Sequence, residues 1–593
     1  MEETWIQRCY GAPFEELGRK FGLDPLAIRL MRNRQVFDKN DWLKKRSDGK
    51  TEAEYKIDMF LHGQLSDISD PMQMKDMDRA VQTVLSFVRD KKKIRVIGDY
   101  DIDGIMSTYI LIHAIGDVGG DADWRIPHRV KDGYGLNERL IREAADDWVS
   151  LLVTCDNGIA AREQIALGNE LGLTTVVTDH HQVPFDEADG EKKEILPPAA
   201  AVVNPHRADD TSPYSGLCGA GVAWKFALAL YRAAGLPDAE KRAESFLSYA
   251  AIATVGDVMD LTGENRIIVR EGLKQIRRTC SPGLRELIVQ NNLVQEQIDV
   301  YHIGFVIGPC LNASGRLDTA GRALHLLLTD SGTEASTEAG ELIALNHERQ
   351  AMTDRGTEEA IEQVNTTSMK NDRVLVILLK DSHVSVVGII AGKVKERFNR
   401  PTFVVTEVDG MIRGSGRSIE AYSMYEELVR CDDLLTAYGG HPMAAGITLR
   451  PENLEAFRRR LNDNCRLTDD DMKRVIRFDA VMPLTYMTKK RYADIQCLWP
   501  TGTGNPKALF ARSGVRLSGA RILGRRGNAC RVDMTDPDDM SGRTVQGIYF
   551  GQPEDVQAFF RRTSEGPVSV LYEVQLNEFR GTQTLQFCIR SYR

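Results

Sequence analysis

Residue types and spacings suited to metal or phosphate chemistry recur along this chain. The densest group is Ile94-Arg-Val-Ile-Gly-Asp-Tyr-Asp-Ile-Asp-Gly104, in which Asp99, Asp101 and Asp103 alternate. Three carboxylates this close repel one another, and the usual remedy is a divalent cation bound through oxygen. A solvated acidic turn is the plain alternative. Further polar clusters follow at Asp156-Asn157-Gly158-Ile159, Asp179-His180-His181-Gln182 and Asn204-Pro205-His206. Asp257 comes at the end of the small, apolar run Tyr249 to Gly256. A carboxylate delivered by a buried helix is costly without a partner, and a metal would be one.

Basic groups sit at separate places. Arg125, His128, Arg129 and Lys131 precede Gly133-Tyr134-Gly135. That cluster suits phosphate contact, with Tyr134 free to stack a base, or it is a basic loop with a structural Tyr. Arg316 ends Ile307-Gly-Pro-Cys-Leu-Asn-Ala-Ser-Gly-Arg316, read as a small-residue loop before a helix. A guanidinium there suits a two-point phosphate grip; the other reading is a helix cap made by Asn312 or Ser314. Arg417 in Arg413–Ser418 and His441 in Tyr438–Gly446 could hold phosphate oxygens, since the glycines beside them let a backbone approach a ligand. Equally, those glycines could serve tight turns alone.

The elements that must position these groups are partly readable. The 593 residues suggest roughly three or four domains of about 150 residues each. Strands are expected at Ile94–Ile97, Val149–Thr154, Leu173–Thr178 and Ala199–Val203, each running into one of the polar clusters and alternating with helical segments. That pattern predicts a parallel sheet, whose ligands bind at the carboxyl ends of the strands. A helix over 71–90 should pack on it, and another is expected to run on from Ser107, with Gly104 closing the acidic turn. Residues 333–366 read as one long helix with a thin apolar stripe, bridging two domains. A second α/β unit begins near Arg373. From about Val475 short alternating strands predict an OB-type barrel. Arg525, Arg526, Arg531, Arg580 and Lys507 are its candidate backbone contacts, and Phe510, Tyr549 and Phe579 its candidate stacking residues. The expected organisation is therefore a helical lead-in (1–70), a parallel-sheet domain (71–332), a connecting helix (333–366), a smaller α/β domain (367–474) and a barrel (475–593).

Net charge is −9, but residues 475–593 hold 17 Lys and Arg against 11 Asp and Glu, about +6, so the barrel is the better polyanion surface. Ten scattered cysteines with no CxxC pair read as reduced residues of a cytoplasmic chain. No apolar run approaches the roughly 18 residues of a membrane span, and the first residues lack the pattern of a signal peptide.

Taken together, Gly98-Asp-Tyr-Asp-Ile-Asp-Gly104, Asp156-Asn-Gly-Ile159, Asp179-His-His181 and Asp257 resemble the four motifs of the DHH phosphoesterase superfamily, and Gly439-Gly-His-Pro-Met-Ala-Ala-Gly446 resembles the motif of its DHHA1 domain. Gly133-Tyr-Gly-Leu136, Asn312-Ala-Ser-Gly-Arg316 and Gly502-Thr-Gly-Asn-Pro506 resemble the RecJ branch of single-strand-specific exonucleases. The resemblance implies Asp101, Asp103, Asp156, His180 and Asp257 as ligands of two divalent ions, Mn²⁺ or Mg²⁺. His181 would stand beside them as substrate contact or proton-transfer aid. Asp99 and Asp179 would lie outside the ligand set, with Asp179 orienting the histidines. Arg129, Tyr134, Arg316, Arg417, His441, Asn505, Arg525 and Arg531 would contact the nucleic acid. Ile97 stands where many DHH enzymes have a His, as is common in the RecJ branch. Direct attack of water on the phosphodiester, 5′→3′ polarity, release of nucleotides, a role in DNA recombination and repair, a monomer, and work with a single-strand-binding protein and a RecQ-type helicase are implied by resemblance alone. Three other readings compete: a phosphodiesterase of small nucleotides or short oligonucleotides, a non-catalytic relative that has lost its ligands, and a protein-docking role for the barrel.

Overall fold

The computed structural model describes residues 3–593 except Val130, Asp189, Gly190, Ser541 and Arg580, and omits the side chains of 187, 188, 191, 192 and 579. The chain divides into two compact units.

The first unit takes in residues 69–257 and 271–474. Its leading sheet has five strands: β1 (Ile94–Ile97), β2 (Ala122–Arg125), β3 (Leu151–Cys155), β4 (Thr174–Thr178) and β5 (Ala201–Val203). All are parallel, in the order β2-β1-β3-β4-β5. Strands covered on both faces are mostly apolar; β1 and β3 are buried at every residue, and the one charge among them, Arg95, is paired with Asp123 and Asp147. Helices α1 (Met77–Arg89), α2 (Ile102–Asp117), α3 (Glu138–Asp146), α4 (Arg162–Glu170) and α5 (Gly219–Ala233) surround the sheet. As expected, α1 packs on it, against β5. On one face Leu140 and Ile141 of α3 and Ile165 of α4 meet Leu152, Val177 and Val202. The connections leave β1 in opposite directions, to β2 on one side and onward to β3 on the other. This reversal opens a crevice at the carboxyl ends of β1 and β3, where ligands of open α/β sheets bind.

Two details differ from expectation. Helix α2 starts at Ile102, capped by Asp101, so Gly104 lies in its first turn. A Cβ at Gly104 would collide with the backbone N and O of Asp99, so the glycine is there for close packing. Helix α6 (Leu247–Gly256) does end at Asp257, but the segment expected to be a loop is helix α7 (Gly308–Leu317). Its small residues let it approach the acidic loop: a Cβ on Gly315 would overlap Tyr100 O.

Helix α8 (Gly332–Thr366) is 35 residues long, about 50 Å. It packs on α7 around Asn346 and on α9 (Val387–Phe398) around Asp354 and Gly356. The second sheet follows: β6 (Leu375–Leu378), β7 (Thr402–Val408), β8 (Met411–Arg417), β9 (Leu435–His441) and β10 (Ala444–Leu449), in the order β9-β10-β8-β7-β6 with only β6 and β7 parallel. The glycines of Arg413–Ser418 lie inside strand β8, not in a turn. A Cβ at Gly416 would meet Met424 Sδ at 2.5 Å.

The second unit takes in residues 4–68, 258–270 and 475–593. Beside β11 (Ala480–Val481), five strands, β12 (Phe510–Leu523), β13 (Ala529–Thr535), β14 (Thr544–Phe550), β15 (Val568–Phe579) and β16 (Thr582–Tyr592), pair in the order β12-β13-β14-β16-β15. Strand β15 pairs back onto β12, which closes the ring. This is the barrel the alternating pattern predicts. Residues of the N-terminal helices, among them Leu26, Leu30, Met31 and Phe60, share its core with Phe510, Val570 and Phe587. Asp24 caps the helix that begins at Pro25. Phe510 is fully buried, and Tyr549 packs on Phe559 and Tyr592 at 4.7 and 5.5 Å. Both aromatics belong to the packed interior and are withdrawn as stacking residues. Arg580 and the side chain of Phe579 lie outside the described residues.

Candidate functional site

The crevice gathers the acidic residues from β1, β3 and β4. Asp99 follows β1 and is buried; its Oδ1 has no hydrogen-bond partner among the described residues. Asp101 Oδ1 accepts from the N–H groups of Asp103 and Gly104, which fixes it as the N-cap of α2. Asp103 accepts from Gly219 N and Ala220 N at 2.6 and 2.7 Å, at the start of α5. Asp156 follows β3 at φ 60°, a left-handed turn that Asp tolerates better than most residues. Asp257 arrives from α6. His180 Nε2 lies 3.0 Å from Asp156 Oδ1, 3.5 Å from Asp103 Oδ2 and 3.8 Å from Asp257 Oδ2.

Three overlapping trios have ligand atoms within 4.8 Å of one another: Asp156, His180 and His181; Asp103, His180 and Asp257; Asp99, Asp101 and Asp156. Asp156 and His180 each belong to two of them. Electrostatics agree with a cation site. Burial, then Asp101, holds the Asp99 carboxyl well above the usual range. Burial and Asp103 do the same to Asp156. Asp257 is pushed up to about 8 by burial, Asp103 and Asp101. Buried carboxyls that repel each other, an orphaned Asp99 oxygen and an imidazole among them fit divalent ions of the Mn²⁺ or Mg²⁺ kind. Asp99, expected to stand outside the ligand set, lies within ligand distance of Asp101 and Asp156 in the third trio.

His181 and Asp179 form a separate pair. Asp179 Oδ1 lies 2.8 Å from His181 Nδ1 and also accepts from the backbone N–H of His180 and His181. Burial opposes protonation of His181, but Asp179 outweighs it and raises the imidazole to about 9. Tyr134 donates its hydroxyl to Asp156 O at 2.8 Å, with His181 Nδ1 3.1 Å away, and its ring is half exposed. It is thus fastened to the acidic site by its hydroxyl, with its ring beside Tyr100 and His181.

A cleft of about 240 Å³ lies between the two α/β regions of the first unit, lined by Arg129, Arg316, Arg413 and Arg417 with Ser385, Ser415 and Gly388. Arg129 stacks over Tyr100 of the acidic loop at 4.5 Å. Arg316, in the last turn of α7, donates to Ser385 O at 2.9 Å. Burial, then Arg129 and Arg349, lowers the Arg316 guanidinium to about 10, and burial with Arg129 lowers Arg417. Cations crowded in this way favour an anion between them.

Known proteins place this architecture. Residues 93–254 match the DHH family N-terminal domain, 371–467 the DHHA1 domain and 478–591 the RecJ OB domain. The single-stranded-DNA-specific exonuclease RecJ of Bacillus subtilis is 35% identical over 90% of this chain, which spans 65% of that protein's length. The Salmonella typhimurium RecJ is 33% identical over 87% of this chain and 90% of its own. The chain belongs to the RecJ family. Its fold agrees: the Mn²⁺ complex of RecJ from Thermus thermophilus superposes with a TM-score of 0.79 at 26% identity, covering 99% of this chain and 79% of that one.

As a RecJ family member the chain keeps all five expected ligand positions together in one crevice. Arg129, Arg316 and Arg417 share the cleft, and Arg413 joins them unforeseen. His441 is exposed at the end of β9 and is not among the residues lining the cleft. Asn505 is a correction. It is buried, and its amide donates to Leu498 O and Pro500 O at 2.6 and 2.9 Å, so it holds a turn and offers phosphate nothing. Arg525 is exposed between β12 and β13, and Arg531 is half-buried on β13. Sequence reasoning passed over the amide of Asn157 and read Asn312 only as a cap beside its own helix. Asn157 donates to Ile97 O and Cys155 O, tying the ends of β1 and β3 together. Asn312 accepts from Ile102 N, capping α2 from across the fold. Both stood inside quoted motifs, which was the available signal.

Proposed function

We propose that this chain is a single-strand-specific 5′→3′ exodeoxyribonuclease, serving DNA recombination and repair, that hydrolyses phosphodiester bonds with two divalent ions, Mn²⁺ or Mg²⁺. The observation that carries this reading is the coincidence, in one RecJ family chain, of overlapping ligand trios sharing Asp156 and His180 with an arginine cleft beside them. When bound, the two ions supply charge neutralisation at the phosphate and activation of the attacking water. Asp101, Asp103, Asp156, His180 and Asp257 hold them, with Asp99 available as a further oxygen ligand. Arg129, Arg316, Arg413 and Arg417 grip phosphate oxygens and fix where the strand end stops. His181, oriented by Asp179, presents a hydrogen-bonding imidazole to the substrate. The barrel gathers the strand through Arg525 and Arg531.

No helix among the described residues is long and apolar enough to cross a membrane, and the reading extends to a cytoplasmic monomer that works with a single-strand-binding protein and a RecQ-type helicase. The test is Mn²⁺-dependent digestion of single-stranded DNA blocked at either end, with Asp101→Ala and Asp257→Ala as controls. Nucleotide release stopped by a 5′ block and by either substitution is the expected result. Cleavage of dinucleotides only, with long DNA bound and uncut, would instead make the chain a small-substrate phosphodiesterase.

A further inference from the structure

Helix α5 begins inside the acidic crevice. The N–H groups of its first two residues, Gly219 and Ala220, donate one to each oxygen of Asp103, at 2.6 and 2.7 Å. Gly219 is pressed between two carboxylates: a Cβ there would lie 2.7 Å from Asp156 Cβ and 3.1 Å from Asp103 Oδ2. The N–H groups that open a helix favour a negative charge, so the position at which α5 starts fixes Asp103. Helix α6 reaches the same crevice by its other end. A Cβ on its last residue, Gly256, would collide with Ile102, which stands between Asp101 and Asp103. The next residue is Asp257. Asp103 and Asp257 meet in one ligand trio with His180.

A single side chain joins the two helices. Cys218 precedes α5 with extended backbone, and its Sγ accepts from Gly221 N at 3.4 Å, as a helix cap does. The same sulfur lies 3.5 Å from Thr254 Oγ1, on α6 three residues before Asp257. Thr254 has one hydroxyl proton and donates it to Ala250 O at 2.7 Å. The thiol is therefore the donor between them: Cys218 S–H points at Thr254 Oγ1 while Sγ accepts from Gly221. Both side chains are buried. Burial, then Asp103, pushes the thiol well above its usual range, which keeps it protonated and in the donor role. A protonated thiol is no ligand for Mn²⁺ or Mg²⁺, which take oxygen and imidazole here.

We propose that Cys218 is a positioning residue for the metal site: its thiol fixes the start of α5 against α6 and so sets the separation of Asp103 from Asp257. This rests on the metal-site reading above and adds to it a residue that acts through two ligands without being one.

The experiment measures Mn²⁺ binding to the metal-free full chain by calorimetry, well below the melting temperature of each protein, for the wild type, Cys218→Ala, Cys218→Ser and Thr254→Val. Loss of a bond that orients metal ligands weakens binding about ten- to a hundredfold, and Cys218→Ala should show that loss at one of two Mn²⁺ sites. Cys218→Ser keeps both a donor and an acceptor and should stay within about threefold of the wild type. Thr254→Val, which removes the acceptor, should weaken the same site as Cys218→Ala. Oligothymidylate kinetics give a second readout: raising Mn²⁺ should restore kcat to Cys218→Ala, with KM for the oligonucleotide unchanged throughout. Wild-type Mn²⁺ affinity in Cys218→Ala, or equal losses in Cys218→Ala and Cys218→Ser, would overturn the positioning role while leaving the metal site intact. Should Cys218→Ala fail to fold, unchanged affinity in Thr254→Val would overturn it and weakened affinity would uphold it. A wild-type chain that binds no Mn²⁺ would overturn the metal reading and this proposal with it.

Discussion

At Asp257 the cost of gathering carboxyls becomes measurable. Its carboxyl is raised to about 8 in the fold, against about 4 in an unfolded chain; Asp99 and Asp156 shift in the same direction. A group raised on folding favours the fold fully below its unfolded value and loses that contribution as pH rises through its folded value. The metal-free protein should therefore melt at progressively lower temperature between about pH 4 and pH 8 on account of these groups. Cations bind the ionised carboxylates, so proton release accompanies binding. Mn²⁺ should raise the melting temperature more at pH 8 than at pH 6, and a Mn²⁺ effect independent of pH would contradict the assignment. Asn157 gives a second residue-scale prediction. Asn157→Ala leaves Ile97 O and Cys155 O without their side-chain donor, which should cost about 2 kcal/mol in denaturant unfolding. Because those carbonyls end the strands that carry Asp99 and Asp156, activity should fall further than stability alone explains.

Between elements, close approach decides more than local propensity. Gly315 lets α7 press on Tyr100 O, which a methyl group there would overlap. Gly315→Ala should destabilise by about 1–3 kcal/mol and depress kcat by displacing the acidic loop. Gly392, inside α9, has nothing within 4 Å of a built Cβ. Gly392→Ala should stabilise by up to about 1 kcal/mol with kcat unchanged; equal behaviour of the two variants in thermal melts and turnover would refute the packing argument. The same pair explains what could be read in advance. Strands β1, β3 and β4 are legible because burial on both faces favours short apolar and β-branched runs, interrupted only by Arg95 and a few threonines, and their polar ends then mark the crevice. Helix α7 is misread as a loop because Gly308, Pro309 and Gly315 are poor helix formers locally. The contact that makes them useful lies about two hundred residues away in sequence. Arg413–Ser418 fails likewise: its glycines sit in a strand so that Met424 and Phe403 can pack on it. Arg413 itself could not be foreseen, because only folding puts it beside Arg129 and Arg316.

On the scale of the molecule, charge is divided along the chain. Residues 475–593 carry 17 basic against 11 acidic groups, while the rest of the chain is strongly acidic. The acidic share repels a polyanion except where cations and the arginine cleft compensate it, so under the proposed function the barrel would supply much of the attraction for a long strand. Its outward side is suited to this, with Arg516 and Arg521 on β12 and the exposed Arg525 and Arg526 on the turn to β13. Neutralising phosphates releases condensed counter-ions, so binding weakens with salt at a slope of about −0.7 per contact for single strands. The variant Arg525→Ala/Arg526→Ala should flatten the slope of log affinity against log salt for oligothymidylate by about 1.4 if both make contacts, and weaken binding at low salt. Its turnover of a dinucleotide should match the wild type, since neither residue is near the carboxylates in sequence or in the same unit. Fluorescence anisotropy across a salt series measures the slope. An unchanged slope would mean that the barrel's arginines face something other than the strand, and the docking reading of residues 475–593 would then replace the strand-gathering one without touching the chemistry of the first unit.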